Sequence, residues 1–410
     1  MMPTALFLAA LASVVISGSQ GCVFLMGESP DSLVAPSGGT RWNYGFRGSD
    51  WVGVDSTNSS WACMTGQRQS PINIALRAPN TVQGQQRLRS TFSYSSMRSN
   101  GSNIQVFNNG HTVQVQWPAR ELQSQVLLPH VGGHVLDVTR PFVNASYLPV
   151  RAVPLQLHFH TASEHTIGGA YYPLELHIVH VVPQSSMPAC PASGCLAVAG
   201  VMFALSDDDV DNPTLDSIWS VMPMREGLVN YMPANMTLNM QAMLPRNRTY
   251  VQYSGSLTTP PCSEGVLWHV FTNPVTISLR QLRAYELAVG LKECTGHSDH
   301  EVHASTQAHR KLSALGTPSA TPSTNTFVRG AYSGFVHGPT ITTTSIRGSS
   351  STTKAADPTA LAMAAQLLPN SMRRLTGAHN STEVECEVVS VGFSNRVVQP
   401  TYNRTRLVYN

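Results

Sequence analysis

The chain has 410 residues, a length that fits two or three domains or one large all-β domain with additions. Charged residues make up only 12% of it and the net charge is +3, which argues against the basic surface that a nucleic-acid partner requires. The hydrophobic share of 42% is ample for a core, and the low charge is unlike that of a disordered protein. This composition is typical of a secreted protein.

Residues 1–27 have the features of a signal peptide. An apolar run, Ala5–Ile16, precedes the small residues Ser17–Ser19. A second apolar patch, Cys22–Met26, leaves the cleavage point open, and an N-terminal membrane anchor is the alternative. Because no later run reaches 18 apolar residues, we predict a protein of the extracellular or periplasmic space without a membrane span once the leader is removed.

Sequons and cysteines agree with export. If the leader is removed beyond Cys22, six cysteines remain, an even number that suits an oxidising compartment. Cys190 and Cys195 bracket four residues and could close a small loop. We therefore predict a glycoprotein with disulfide bonds. The sequons are Asn58, Asn100, Asn144, Asn235, Asn247, Asn380 and Asn403.

Short β-type runs separated by turns dominate residues 40–296 and predict a mainly β fold. We expect one large, mostly antiparallel central sheet with a few short helices. Asn108-Asn109-Gly110 indicates a hairpin between two runs, and Leu279–Leu291 is the best helix candidate. Buried helix is the alternative for the short runs, but their length and β-branched content favour strands. The clearest runs are Asn103–Phe107, Thr112–Trp117, Leu155–His160, Leu174–Val182, Ala197–Leu205 and Val266–Phe271.

The composition changes after His297, where serine and threonine become abundant. Such a segment cannot bury enough apolar surface to offset its ordering entropy. We therefore predict that residues 297–383 are an insertion, mostly disordered and open to processing, for example at Arg373-Arg374. Apolar residues return near the C-terminus, so we expect 384–410 to complete the catalytic domain that 40–296 begins.

Three histidines carry the densest functional signal. Alternate residues of a strand point to one face, so His158 and His160 present two imidazoles side by side. His177 on an adjacent antiparallel strand would complete three neutral ligands with an open fourth position, the arrangement of catalytic zinc. Gln156 and Glu175 each lie two residues before a ligand and are placed to bind the other ring nitrogen of His158 and His177.

Two other interpretations of the histidine pair stay open at this point. A His-x-His pair by itself is often two ordinary surface or core histidines. The spacing from His158 and His160 to Glu164 also matches the core of a cupin metal motif, in which Glu164 would be a ligand. Against a cupin, Ala152 stands where that motif has glycine, and no second cupin motif follows.

Longer motifs surround these histidines in the chain. They are Trp42–Gly45, Gly66–Ile72, Asn108–His111, Ser163–Thr166, Gly255–Pro261 and Gln399–Arg404. In residues, order and spacing they resemble the α-class carbonic anhydrases, over about residues 40–296 and 384–408. The leader, the insertion and the cysteine pattern are most similar to the secreted, periplasmic enzymes of green algae.

The resemblance implies a fold, a cofactor and a reaction. The family binds Zn2+ through the positions of the three histidines, and zinc hydroxide attacks CO2 to give bicarbonate and a proton. His111 matches the residue that shuttles the proton to solvent. Thr258 matches the threonine that accepts a hydrogen bond from the hydroxide and donates one to a carboxylate, here Glu164. Glu164 is then not a metal ligand.

The resemblance also implies the surroundings of the reaction. Thr259 lines the same pocket, while His165 and His180 match structural positions and not ligands. Gln114 departs from the commonest residue, Asn, at its position. The relay waters are held by Tyr44, Asn109 and Gln114, and the apolar substrate wall consists of Val179, Val198, Leu257, Val266 and Trp268.

Disulfides and partners complete the prediction. In secreted family members a disulfide joins the positions of Cys63 and Cys262, which would brace the Thr258 loop. Cys294 and Cys386 flank the insertion, and we hypothesise that they pair, so that an excised insertion would leave disulfide-linked fragments. The expected partners are CO2 and bicarbonate, with no nucleic acid and with a homo-oligomer as a possibility. The alternative function is a catalytically silent extracellular binding module on the same fold.

Overall fold

The structure is a computed structural model that describes residues 40, 42–55, 58–78, 80–84, 88–118, 124–131, 134–135, 149–295, 385–390, 394–402 and 404–410. The predicted signal peptide and the predicted insertion therefore lie outside the described residues. So do three of the predicted sequons, which are Asn144, Asn380 and Asn403.

Strands are the dominant regular structure of the described residues, which confirms the predicted mainly β fold. Two α-helices and one short 3-10 helix accompany them in the described ranges. The strands are β1 (Asn73–Ile74), β2 (Thr81–Gln83), β3 (Thr91–Tyr94), β4 (Met97–Arg98), β5 (Gln105–Asn108), β6 (Val113–Gln116), β7 (Ser124–Val131), β8 (His134–Val135), β9 (Pro149–His160), β10 (Thr166–Ile167), β11 (Leu174–Val182), β12 (Cys195–Leu205), β13 (Val229–Tyr231), β14 (Thr237–Leu238), β15 (Tyr250–Ser256), β16 (Glu264–Ile277), β17 (Leu291–Thr295), β18 (Glu385–Ser390) and β19 (Arg406–Tyr409).

One mixed sheet organises the described part of the molecule. Its strands follow the order β13-β5-β6-β9-β11-β12-β16-β15-β19-β2, and β7 pairs with β9 and also with β3 and β8. Only the pairs β12–β16 and β19–β2 are parallel among its described pairs, so the sheet is mostly antiparallel as predicted. The predicted hairpin joins β5 to β6.

The central strands are covered on both faces. All nine residues of β11 are buried, and successive side chains point to opposite faces. Leu176 and Ile178 enter the main hydrophobic core on one face. Val179 joins a smaller apolar cluster with Trp268 on the other face. The residues of the candidate site lie on the face of this smaller cluster.

Strand β9 is longer than its sequence pattern predicts. It begins at Pro149 and not at Leu155, because its first half pairs with β7. Pro154 lies next to a register shift between β9 and β11, one of the few places where a sheet tolerates proline. The extension leaves the paired histidines at the C-terminal end of the strand.

Helix α1 spans Pro213–Trp219, helix α2 spans Leu279–Val289, and the 3-10 helix spans Met240–Met243. Helix α2 starts at the predicted residue, where Ser278 and Gln281 form a capping box. It ends two residues before the predicted end, because Gly290 stops it and β17 begins at Leu291. No helix in the described ranges is long and apolar enough to cross a membrane.

The last described strand, β19, belongs to the large sheet. Strand β19 pairs with β15 and with β2. Strands β17 and β18, on either side of residues 296–384, pair antiparallel and bring the backbones of Cys294 and Cys386 directly opposite each other. The chain thus enters and leaves that segment at neighbouring positions.

Candidate metal centre and active site

The sheet brings the three predicted ligand histidines together. His158 and His160 lie on one face of β9, and His177 on β11 is directly opposite His158. One ring nitrogen from each lies within 4.8 Å of the other two, and all three side chains are buried. The ring centroids are 4.6 to 5.1 Å apart. Three imidazoles therefore converge on one point.

The two predicted outer partners fix the orientation of two of the rings. His158 donates a hydrogen bond from Nδ1 to Gln156 Oε1 at 2.9 Å. His177 donates from Nε2 to Glu175 Oε1 at 2.8 Å. These bonds leave Nε2 of His158 and Nδ1 of His177 as lone-pair donors, which is the role of an outer shell at a metal site.

The third ring is held by a residue that sequence reasoning missed. His160 donates from Nδ1 to the backbone carbonyl of Ser394. The hydroxyl of Ser394 also accepts the backbone N–H of Thr161 at 3.1 Å. A backbone acceptor 234 residues away leaves no side-chain pattern, and the return of apolar residues near the C-terminus was the only signal.

These residues fit a bound divalent metal ion. The Nε2 atom of His160 is buried and has no hydrogen-bond partner among the described residues. Burial lowers the pKa of His158 and His177, and it lowers the pKa of His160 to about 3. Neutral imidazoles in a dry site are the ligands that zinc takes in catalytic centres.

A second cluster of ionisable side chains is joined by hydrogen bonds. His165, Glu175 and His177 also lie close together. His165 donates from Nδ1 to Glu175 at 2.7 Å and accepts from the Tyr253 hydroxyl at Nε2, at 2.6 Å. Both nitrogens of His165 are therefore in use. Burial alone would raise the pKa of Glu175, but His165 and His177 hold it well below its usual value.

Glu164 lies beside the three histidines but makes other contacts. Its Oε1 accepts the backbone N–H of Arg396 at 3.0 Å, and its Oε2 is 3.6 Å from His160 Nε2. Burial raises the pKa of Glu164 well above its usual value, while the Thr258 hydroxyl and the Arg396 N–H act in the opposite direction. These contacts favour an orienting role over the ligand role of the cupin interpretation.

The five residues predicted as an apolar wall form one cluster. Val179, Val198, Val266 and Trp268 are buried together, and Leu257 packs against them. The Trp268 ring centroid is 4.8 Å from that of His177, so this wall begins next to the histidine cluster. Thr258 and Thr259 are buried in the segment that follows Leu257.

The predicted shuttle residue, His111, stacks on Trp42. The ring centroids are 3.8 Å apart and the planes meet at 11°. The backbone N–H of His111 donates to Asn109 Oδ1 at 3.0 Å, and the Tyr44 ring centroid is 6.2 Å away. Burial lowers the pKa of His111 to about 4. In this pose the imidazole is therefore less basic than that of an ordinary histidine.

Gln114 faces the metal centre from the neighbouring strand. It lies on β6 directly opposite His158 on β9, and it is buried. Gln114 and Asn109, which lies on the preceding turn, both contribute neutral amide groups. The structure thus places Gln114 beside His158 and Asn109 beside His111.

A disulfide and a buried arginine stabilise the segments around the site. Cys63 and Cys262 are bonded, as the resemblance implied, and Cys190 and Cys195 are bonded as well. The guanidinium of Arg396 is fully buried and donates to the backbone carbonyls of Cys63 and Ser70, each at 2.7 Å. Because its backbone N–H also binds Glu164, Arg396 ties the C-terminal segment to the site.

Comparison with known proteins agrees with this geometry. A family model described as eukaryotic-type carbonic anhydrase matches residues 49–314, which is more than half of the chain and continues past the predicted boundary at 296. A carbonic anhydrase of Neisseria gonorrhoeae is 31% identical over 65% of this chain and 88% of its own length. Human carbonic anhydrase 12 is also 31% identical, over 65% of this chain and 68% of its own.

A solved structure of a carbonic anhydrase from Chlamydomonas reinhardtii in complex with acetazolamide is 30% identical. It covers 61% of this chain and 90% of its own, with a TM-score of 0.43. Because that TM-score is below 0.5, the assignment rests on the sequence matches. Bacterial, human and algal relatives are equally similar, so the narrower resemblance to algal enzymes stays a prediction. The chain belongs to the eukaryotic-type, or α-class, carbonic anhydrase family and is an enzyme of that family.

Proposed function

We propose that this enzyme catalyses the reversible hydration of CO2 to bicarbonate and a proton, with zinc held by His158, His160 and His177. The observation that carries the proposal is the convergence of three neutral, buried imidazoles whose second nitrogens are all hydrogen-bonded. Bound there, zinc would lower the pKa of a coordinated water to about 7, a value for which carbonic anhydrase is itself the standard example.

The surrounding residues supply substrate binding and orientation. CO2 is uncharged and apolar, so the wall around Val179, Val198 and Trp268 offers it a favourable surface next to the histidines. Thr258 interacts with the Glu164 carboxylate, which the N–H of Arg396 holds in place. Because the Glu164 carboxylate accepts hydrogen bonds, the Thr258 hydroxyl donates its hydrogen to Glu164. The lone pairs of the Thr258 oxygen are then left to orient a nucleophilic oxygen.

We propose His111 as the group that delivers the proton to solvent, supported by Tyr44, Asn109 and Gln114. An efficient carrier has a pKa near the working pH. Burial lowers the pKa of His111 to about 4 in the pose stacked on Trp42, so a better solvated pose would bring its pKa closer to the working pH. His111 lies on the turn between β5 and β6 and is only half-buried.

Stopped-flow CO2 hydration and zinc analysis test the proposal together. The wild-type protein should be active, lose activity on zinc removal and regain it on zinc addition. His177→Ala should bind less zinc and lose activity, since one of three ligands is gone. His180→Ala is the matched control, because His180 lies on the same strand but faces the other side of the sheet. Its folded fraction should keep a full complement of zinc.

A folded, zinc-loaded wild-type protein without activity would overturn the enzymatic proposal. The alternative of a silent binding module on the same fold would then be favoured. All three ligand positions are histidine, so no observed substitution supports that alternative.

We further propose that the protein is exported and glycosylated. Two disulfides support an oxidising compartment, and four sequons, at Asn58, Asn100, Asn235 and Asn247, lie at exposed positions. Protein collected from the medium should lose mass on gels after glycosidase treatment. An unchanged mass would contradict glycosylation.

A further inference from the structure

A row of polar side chains crosses four strands on the sheet face that carries the three histidines. Tyr231 on β13 is directly opposite Gln105 on β5, Gln105 is opposite Gln116 on β6, and Gln116 is opposite Gln156 on β9. Directly opposite side chains on one face of a sheet are close neighbours. Since Gln156 binds His158, the row leads from an exposed edge to a metal ligand's partner.

Hydrogen bonds join most of this row and extend it to Gln114. Gln114 donates from Nε2 to Gln116 Oε1 at 3.3 Å, and Gln116 donates from Nε2 to Gln105 Oε1 at 2.7 Å. Gln105 then donates from Nε2 to the Tyr231 hydroxyl at 3.1 Å. We call Tyr231, Gln105, Gln116 and Gln114 the amide chain.

Exposure falls along the amide chain from its outer to its inner end. The Tyr231 side chain is 46% exposed and Gln105 is half-buried, whereas Gln116 and Gln114 are almost completely buried. A glutamine loses much rotamer freedom when it is fixed. Each inner amide donates to the next one outward, so residues away from the histidine cluster contribute to the orientation of Gln114.

We propose that Gln116 and Gln105 are positioning residues for proton release, because they hold Gln114 in the orientation that organises water between the metal centre and His111. This inference rests on the proposed function. Amides suit the role, since they both donate to and accept from water without adding a charge beside neutral histidines. Loss of the chain should slow proton release while CO2 conversion continues at its normal rate.

Kinetics of Gln116→Leu provide the first test. Proton release follows CO2 conversion, so it enters kcat and not kcat/KM. We expect kcat to fall about three- to tenfold, as for the loss of one or two hydrogen bonds, with kcat/KM and zinc content unchanged. A high concentration of imidazole buffer, which can carry the proton itself, should restore kcat. Tyr231→Phe, which removes only the outermost bond, should show a smaller effect of the same kind.

The matched control is Gln83→Leu, an exposed glutamine on β2 at the opposite edge of the same sheet. Side-chain amide NMR of the metal-free proteins gives a readout that needs no activity. The Gln114 amide should be rigid in the wild type and in Gln83→Leu, and mobile in Gln116→Leu. A rigid Gln114 in Gln116→Leu, an unchanged kcat, or a parallel fall in kcat/KM would overturn the proposal. An inactive wild type with the expected NMR changes would instead remove the proposed function while leaving the amide chain established.

Discussion

At the scale of single residues, the decisive feature is which ring nitrogen each histidine turns toward the metal position. Gln156 and Glu175 settle this for His158 and His177, and both could be predicted because they lie two residues away on the same strand face. The acceptor for His160 is a backbone carbonyl, which carries no side-chain identity. Chemistry held by side chains was therefore visible in the sequence, and chemistry held by the backbone was not.

Trp42 is expected to control the basicity of His111. The stacked indole covers one face of the imidazole, and burial lowers the pKa of His111 to about 4. Trp42→Ala should therefore raise the pKa of His111 toward the ordinary histidine value of about 6.5. An NMR titration of the His111 ring protons measures this, with Tyr44→Phe as a control that keeps the stacked ring. A pKa that stays near 4 in Trp42→Ala would show that other groups exclude the water.

At the scale of elements, the face of the sheet away from the site carries two neutral histidines. His180 on β11 donates from Nδ1 to the Ala197 carbonyl and accepts from the Tyr94 hydroxyl at Nε2, at 2.8 Å. The Nε2 atom of His269 on β16 shares a hydrogen bond with the Ser90 hydroxyl at 2.9 Å. The Phe92 ring contacts both imidazoles. Burial lowers the pKa of His180 to about 4, and burial together with His180 lowers that of His269 to about 3.

These two histidines make the fold sensitive to acid. In the unfolded chain a histidine has a pKa of about 6.5, so between that pH and about 3 the unfolded state binds more protons. The free energy of unfolding should therefore fall as the pH drops below about 6.5, at up to ~1.4 kcal/mol per pH unit for each histidine. Below about pH 3 this contribution should level off.

Urea unfolding of the metal-free protein at pH 7, 6 and 5 measures this effect. His269→Phe removes one of the two groups, so its unfolding free energy should depend less steeply on pH than that of the wild type. The carboxylates and the three ligand histidines are present in both proteins, so their contribution to the pH dependence cancels when the two curves are compared. Identical slopes for the two proteins would contradict the assignment of acid sensitivity to His269.

At the scale of the whole molecule, the site is complete only when distant parts of the chain meet. Ser394 and Arg396 bind His160 and Glu164, yet 234 and 232 residues separate the bonded pairs. The disulfide between Cys63 and Cys262 joins residues 199 positions apart and ties the segment near Thr258 to Cys63. The Arg396 side chain in turn donates to the backbone carbonyl of Cys63. Residues after the predicted insertion thus support the three histidines of the candidate metal centre.

We predict that cleavage between residues 297 and 383 leaves zinc binding intact. Strands β17 and β18 pair across this segment with Cys294 opposite Cys386, and we propose a disulfide there. On non-reducing gels the cleaved protein should migrate as one species, and reduction should release a small C-terminal fragment. Zinc analysis before and after cleavage, with an uncut sample as control, gives the second readout.

Two outcomes would count against this prediction. A C-terminal fragment that separates without reduction would exclude the Cys294–Cys386 bond. If secreted protein released no small fragment on reduction, the hypothesis that the insertion is excised during maturation would fail. The predicted domain limits, 40–296 with 384–410, stay predictions, and the family match to residue 314 extends beyond the first of them.

The sequence by itself determined the strand-rich fold, the three histidines and two of their outer partners. Those features depend on local alternation, in which residues i and i+2 share a face, so a short stretch of chain contains the whole signal. The tertiary structure alone decided that Ser394 supports His160, that Trp42 covers His111, and that the amide chain runs from Tyr231 to Gln114. Apart from the Gln114–Gln116 bond within β6, these contacts join residues on different strands or segments. Their meeting depends on sheet order and register, which no local pattern in the chain specifies.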